Sequence, residues 1–201
     1  GVAFMSRGLS NWHASSLRGK QCIPFYAHHL NAKKNNGHSR VIFGDDGTGN
    51  INCRENALCI VYENGANRAS LVTADGGMEL DAAERNSQEA LSLSLMAAEI
   101  YTALRALAPG GCFVLKMFDT FLAQTQRLIW LCCRMFRAVH VAKLRASRIC
   151  NSERYLVCVD FQGFGTELAA ALDALSPVAF DGAAAFSYDY HPGPGAELAL
   201  L

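Results

Sequence analysis

The sequence predicts an α/β protein: one three-layer sheet, mostly parallel, whose last two strands form an antiparallel hairpin. Two observations carry that expectation. Strand-like apolar runs alternate with helix-like periodic segments along most of the chain, and the last two runs follow each other with only a polar loop between them. A length of 201 residues, 51% of them in the AVILMFWYC class, suits a single domain with a core of its own.

The elements follow in order. Residues 2–9 read as the first turns of a short helix, and 11–17 and 40–43 as short strands. Between those strands, 18–39 is polar and rich in Asn, His and Lys, which reads as a long loop. Gly44-Asp-Asp-Gly-Thr-Gly-Asn50 is a turn-rich loop, 54–62 a helix, and 70–74 a strand that ends at Asp75-Gly76-Gly77. Residues 84–107 carry helical periodicity, with Leu91, Leu95, Ile100, Leu104 and Leu107 on or near one stripe. Pro109-Gly110-Gly111 is expected to stop that helix before a strand at 112–117. A helix at 122–136, strands at 138–144 and 155–161, and a terminal helix at 164–175 complete the series. The Gly/Ala/Pro-rich stretch 176–201 reads as a linker or frayed tail.

Eighteen basic and eighteen acidic side chains cancel, but they are not mixed. Residues 1–44 hold six Lys/Arg and no acid, and 120–152 hold six more, again with no acid; 45–99 hold ten of the anions. Such segregation puts a basic face on a neutral protein and keeps a polyanionic partner in play; solvated helix faces are the competing reading. No run of 18 apolar residues lacks a charge or a breaker, so no membrane span is expected. The eight cysteines lack CxxC and metal-ligand spacing, and several lie in apolar runs, as small hydrophobes do in a reduced intracellular compartment. His28 and His29 read as surface histidines, and no metal is expected.

Ligands of open α/β sheets bind beyond the carboxyl ends of the strands. Asp75 follows SLVTA, Lys116 closes CFVLK, and Glu153 leads into YLVCV. A lysine closing an apolar strand is costly to desolvate without acidic companions. The residues leave two readings open: a salt bridge tying strand ends together, or a site in which two carboxylates orient a reactive lysine.

LVTADGG, FVLKMF and CNSERYLVC, in that order, resemble the FtsJ-like ribose 2′-O-methyltransferases, whose signature is a Lys-Asp-Lys-Glu tetrad. Within them the nearest likeness is to the mRNA cap 2′-O-methyltransferases. It is carried further by WHASSL at 12–17, FGDDGTGNI at 43–51, SQEALSLSL at 87–95, LCCRMFRAVHVAK at 131–143 and SRICNSE at 147–153. The FGDDGTGNI loop, QEAL and VLKMF resemble the cap-2 type; NSERY and DGG lean toward cap 1, and the balance favours cap 2.

The resemblance implies a Rossmann-like class I methyltransferase sheet over residues 1–165, followed by a terminal helix and tail at 166–201. It implies S-adenosylmethionine as cofactor, the capped 5′ end of mRNA as substrate, and a nuclear or cytoplasmic setting near the transcription or capping machinery. Lys116 matches the lysine that accepts the ribose 2′-hydroxyl proton, and Asp75 and Glu153 the acids that position it. Gly1, Asn50, Ile51 and Asp75 match cofactor positions, while Asn86, Gln88, Arg145, Ser147, Arg148 and Asn151 fall where RNA would lie. Gly1 reads as the last glycine of the cofactor loop, so the family's first strand and first tetrad lysine are expected to be missing from this sequence. A catalytically dead binding module and a small-molecule methyltransferase remain alternatives at this level.

Overall fold

A computed structural model describes residues 12–19, 39–63, 69–77, 87–145, 147, 151–163 and 165–183. The expected helix at 2–9, most of the polar stretch, 78–86, 148–150 and the tail from 184 lie outside the described residues, and so do Gly1, His28, His29, Asn86 and Arg148.

Two short strands, β1 (Trp12–Ser15) and β2 (Ser39–Ile42), pair in parallel as a separate ribbon. Helix α1 (Arg54–Glu63) leads on to β3 (Ala69–Ala74). Helices α2 (Gln88–Leu91) and α3 (Leu93–Ala106) run directly into β4 (Leu107–Met117), and α4 (Ala123–Met135) directly into β5 (Phe136–Ala142). Strand β6 (Arg154–Phe161) and helix α5 (Gly165–Phe180) follow.

The four-stranded sheet has the order β3-β4-β6-β5. β3 and β4 are parallel, and β6 is antiparallel to both β4 and β5. Three strands therefore point one way, and β6 is inserted between two of them in the opposite sense. The expected C-terminal hairpin is present, with its second strand inside the sheet.

The sheet's two faces differ. Val72 and Ala74, Phe113, Leu115 and Met117, Leu156 and Cys158, and Val139 and Val141 join α3, α4 and α5 in one core. Helix α3 is apolar nearly all round, with Ala97, Ala98, Ile100, Ala103 and Leu104 at 0% exposure, as befits a helix enclosed by its neighbours. The alternate residues, among them Val114, Val157, Val159 and His140, are only half-buried, and Leu71 is exposed. Among the described residues the helices thus cover one face, where three layers were expected.

Three boundaries depart from the sequence reading. α3 ends at Ala106, ahead of Pro109-Gly110-Gly111, because Leu107 turns extended (φ −70, ψ 141) and is fully buried in the core. The Pro-Gly-Gly segment lies within β4, where the register against β3 shifts between Ala69 and Leu71 and Gly110 takes φ +76. That is where a strand tolerates a residue with no N–H and one with positive φ. β5 starts at Phe136, not 138, since this ring packs against Phe113 and Phe161 at 6.5 and 5.3 Å. α5 continues through Pro177 to Phe180, so residues 176–180 are helix and not tail. Packing outweighs the lost hydrogen bond: Val178 and Ala179 are buried, the Phe180 ring meets Tyr101 edge-on at 4.9 Å, and Asn52 donates to the Ala179 carbonyl at 3.0 Å.

Candidate active site

The sheet topology assembles the site. Ala74 pairs with Leu115 on the neighbouring parallel strand, so Asp75 and Lys116 emerge side by side. Lys116 pairs with Tyr155 across the antiparallel β4–β6 ladder, which brings the start of β6, and Glu153 just before it, to the same edge. Residues far apart in the sequence meet because two strands end where a third begins.

Lys116 Nζ lies 2.7 Å from Asp75 Oδ1 and 3.4 Å from the Asp75 carbonyl, and its side chain is only 14% exposed. Phe118 flanks the ammonium, with its ring centroid 5.9 Å away. The Tyr155 hydroxyl donates to the Glu153 carboxylate. Partial burial, the negative charges of Asp75 and Glu153, and that hydrogen bond together push the phenol's pKa up. Glycines keep the backbone bare here: a Cβ on Gly77 would stand 3.5 Å from Lys116 Nζ, and one on Gly76 would collide with Glu99. The adjoining cleft is lined by Gly76, Leu95, Glu99, Lys116, Phe118 and Asp119 among others.

Glu99 was not singled out in the sequence. It is 7% exposed on α3, and its Oε1 accepts the Gly76 N–H at 2.9 Å, holding the turn that carries Asp75. Burial pushes its pKa up to about 7 against the opposing pull of the Gly76 hydrogen bond and the Lys116 charge. Only its place in the middle of an apolar helical stripe hinted at such a role, because an acid there needs a partner.

The other predicted residues are placed as follows. Asn50 is exposed at the end of the 44–50 loop and accepts the Asn52 N–H at 3.1 Å, while Ile51 packs against the core. Gln88 opens α2 beside Glu89, whose carboxylate accepts the N–H groups of Phe121 and Leu122 at 3.2 and 2.9 Å. That clamp holds the loop after Lys116, where the Phe121 ring is 84% exposed. Arg145 is exposed. Ser147 and Asn151 are tied to Lys143, whose Nζ donates to Ser147 Oγ, Asn151 O, Asn151 Oδ1 and Glu153 O at 3.2, 2.8, 2.5 and 2.8 Å.

The acid-free stretch is less free than its composition suggested. Arg134 pairs with Glu167 at 2.7 Å and Arg137 with Asp160 at 2.6 Å, so distant acids neutralise two of its cations. Among the described residues no group of three His, Cys, Asp or Glu could hold a metal ion, and no helix is long and apolar enough to cross a membrane.

Residues 17–161 match the FtsJ-like methyltransferase family. The chain belongs to that family. A cap-specific mRNA (nucleoside-2'-O-)-methyltransferase 1 of Leishmania braziliensis is 44% identical over 155 residues, covering 77% of this chain and 38% of the relative. The Trypanosoma cruzi protein of the same name is 43% identical over 121 residues (60% and 33%). A cap-specific mRNA (nucleoside-2'-O-)-methyltransferase 2 of Danio rerio is 37% identical over 121 residues (60% and 16%). The chain therefore spans well under half the length of these relatives.

Proposed function

We propose that this chain carries the catalytic centre of an S-adenosylmethionine-dependent methyltransferase that modifies the ribose 2′-hydroxyl of a cap-proximal nucleotide in mRNA. The observation that carries the reading is the Asp75–Lys116 pair at the sheet edge, with Glu153 and Tyr155 delivered to the same edge by β6. The names of the relatives support capped mRNA as substrate. The FGDDGTGNI and QEAL motifs favour the second transcribed nucleotide. The first is the alternative reading, since relatives numbered 1 and relatives numbered 2 both match this chain. The eight cysteines, without CxxC or metal-ligand spacing and several of them in apolar runs, fit a reduced nuclear or cytoplasmic setting.

Asn50, Ile51, Asp75 and the side-chain-free Gly76-Gly77 turn fit an approaching nucleoside cofactor. S-adenosylmethionine supplies, when bound, an electrophilic methyl group. The protein's task is to align a weak oxygen nucleophile and take its proton. Lys116 Nζ, in its uncharged form, would accept the 2′-hydroxyl proton as the oxygen bonds to the methyl carbon and the sulfonium–methyl bond breaks, and Asp75, 2.7 Å away, would stabilise the resulting ammonium. Glu153, held by Tyr155, orients the hydroxyl on the other side.

Lys116→Ala and Lys116→Arg decide the matter in the full-length protein, assayed for methyl transfer to capped RNA alongside calorimetric cofactor binding. Both variants lose about 10²-fold or more in rate with cofactor affinity retained, because Arg stays protonated and accepts nothing. Near-full activity of Lys116→Arg would overturn the proton-acceptor role. Mapping the methylated nucleotide in the product separates the two positional readings.

A further inference from the structure

Asn56 is the least exposed polar residue of the described chain, at 0%, and its whole carboxamide is spent on one loop. Nδ2 donates to Asp46 Oδ1, Thr48 Oγ and the Asn50 carbonyl at 2.8, 3.3 and 3.0 Å, and Oδ1 accepts the Asp46 N–H at 3.2 Å. Asp46 in turn accepts from the Thr48 N–H and hydroxyl, both at 2.8 Å, and the Thr48 hydroxyl accepts the Asn50 N–H at 3.1 Å. The loop is closed by Arg18 N–H to Thr48 O (2.8 Å), from the segment after β1, and by Gly49 N–H to Phe43 O (2.6 Å), just past β2. Gly44, Gly47 and Gly49 all take positive φ; a Cβ on Gly44 would run into the Asn56 side chain and one on Gly49 into the Ser16 carbonyl. A loop this exposed ordinarily samples many conformations. Here one buried amide on α1 selects a single one, and its network ends at Asn50.

We propose that Asn56 is the positioning residue of the cofactor site: it fixes the 44–50 loop so that Asn50 and Ile51 are presented to the adenosine of S-adenosylmethionine. The inference rests on the cofactor reading given above. Asn56 itself touches no ligand; it acts through the loop. The Asp46 carboxyl is held below the usual carboxylate range by its hydrogen bonds from Thr48 and Asn56, in keeping with a preformed network. Preorganisation of this kind is worth affinity, because an unfixed loop must be ordered at the moment of binding.

The test uses Asn56→Ala and Asp46→Ala in the full-length protein, titrated with S-adenosylmethionine by calorimetry and with a capped RNA oligonucleotide by anisotropy, below each variant's melting temperature. Asn56→Ala weakens cofactor binding by about 10- to 100-fold, as loss of several buried hydrogen bonds implies, and leaves RNA affinity within about twofold. Asp46→Ala, an exposed substitution, weakens the cofactor in the same direction by a smaller factor. It carries the test if Asn56→Ala does not fold. Cofactor affinity unchanged in the folded variants overturns the inference. Equal losses for cofactor and RNA also overturn it, since they mark a general structural role. If the unsubstituted protein binds no S-adenosylmethionine, the cofactor reading itself fails, which is a separate result.

Discussion

At the scale of the residue, Glu99 has the most measurable consequence. Burial holds its carboxyl protonated to about pH 7 in the folded protein, against 4.5 for a free side chain. An acid whose folded pKa is raised opposes folding once the pH passes the unfolded value. The penalty grows between pH 4.5 and 7 and is complete above that, at roughly 3 kcal/mol for a shift of this size. Glu99→Gln keeps an oxygen for the Gly76 N–H and removes the titration. Its melting temperature relative to the unsubstituted protein is therefore expected to climb as the pH rises from 5 to 8; a difference that stays flat across that range would contradict the assignment. Asp75, Lys116 and Glu153 were legible in the sequence because strand-end charges after apolar runs stand out. Glu99 and Asn56 were not: each lies within a helix, and the group it serves is a backbone turn that no side-chain pattern reveals.

At the scale of the element, the β5–β6 connection shows how a single cation shapes a loop. Lys143 leaves β5 and gathers four oxygens from Ser147, Asn151 and Glu153, fixing the backbone from which the Glu153 side chain projects. Lys143→Met retains the length and removes the donors. Glu153 and Tyr155 then lose their fixed start point, and kcat for capped RNA drops about tenfold or more while S-adenosylmethionine affinity holds. Lys143→Arg restores part of the rate. A Met variant with unaltered kcat would mean that the loop keeps its shape without the ammonium. Helix and strand identities were readable from periodicity, whereas the α3–β4 and α4–β5 junctions were not. Ala106-Leu107 and Met135-Phe136 carry no turn residues, and an apolar run spanning helix and strand looks alike on either side of the junction. Pro177 misled for a related reason, since the local penalty is visible in sequence and the packing of Val178 and Phe180 is not.

At the scale of the whole molecule, zero net charge conceals an uneven distribution, and the fold redistributes it again. Arg134 and Arg137 are neutralised by Glu167 and Asp160, so Arg145 is the better candidate for contacting phosphate. Arg145→Ala should weaken capped-RNA binding and lower the slope of log K against log salt by about 0.7, the single-strand value for one phosphate contact. Arg137→Ala should leave that slope alone. Equal slopes for both variants and the parent would show that Arg145 is simply solvated. Composition reported where the cations lie along the chain, but not which of them the α5 and β6 acids would meet.

The inserted position of β6 also sets an order of events during synthesis. Residues 136–142 emerge from the ribosome before 154–161, yet among the described residues β6 is the only strand to which β5 is hydrogen-bonded. Until β6 is made, the described strands of the nascent sheet are β3 and β4, paired with each other, and β5 has no described strand to join. Release of Arg154–Phe161 then closes both ladders at once and, in the same step, brings Glu153 to Lys116. Placement of Glu153 at the Lys116 edge and completion of the described sheet are thus expected to coincide in translation. A nascent chain stalled before residue 154 should remain protease-sensitive through α4 and β5 and gain protection abruptly once β6 clears the exit tunnel.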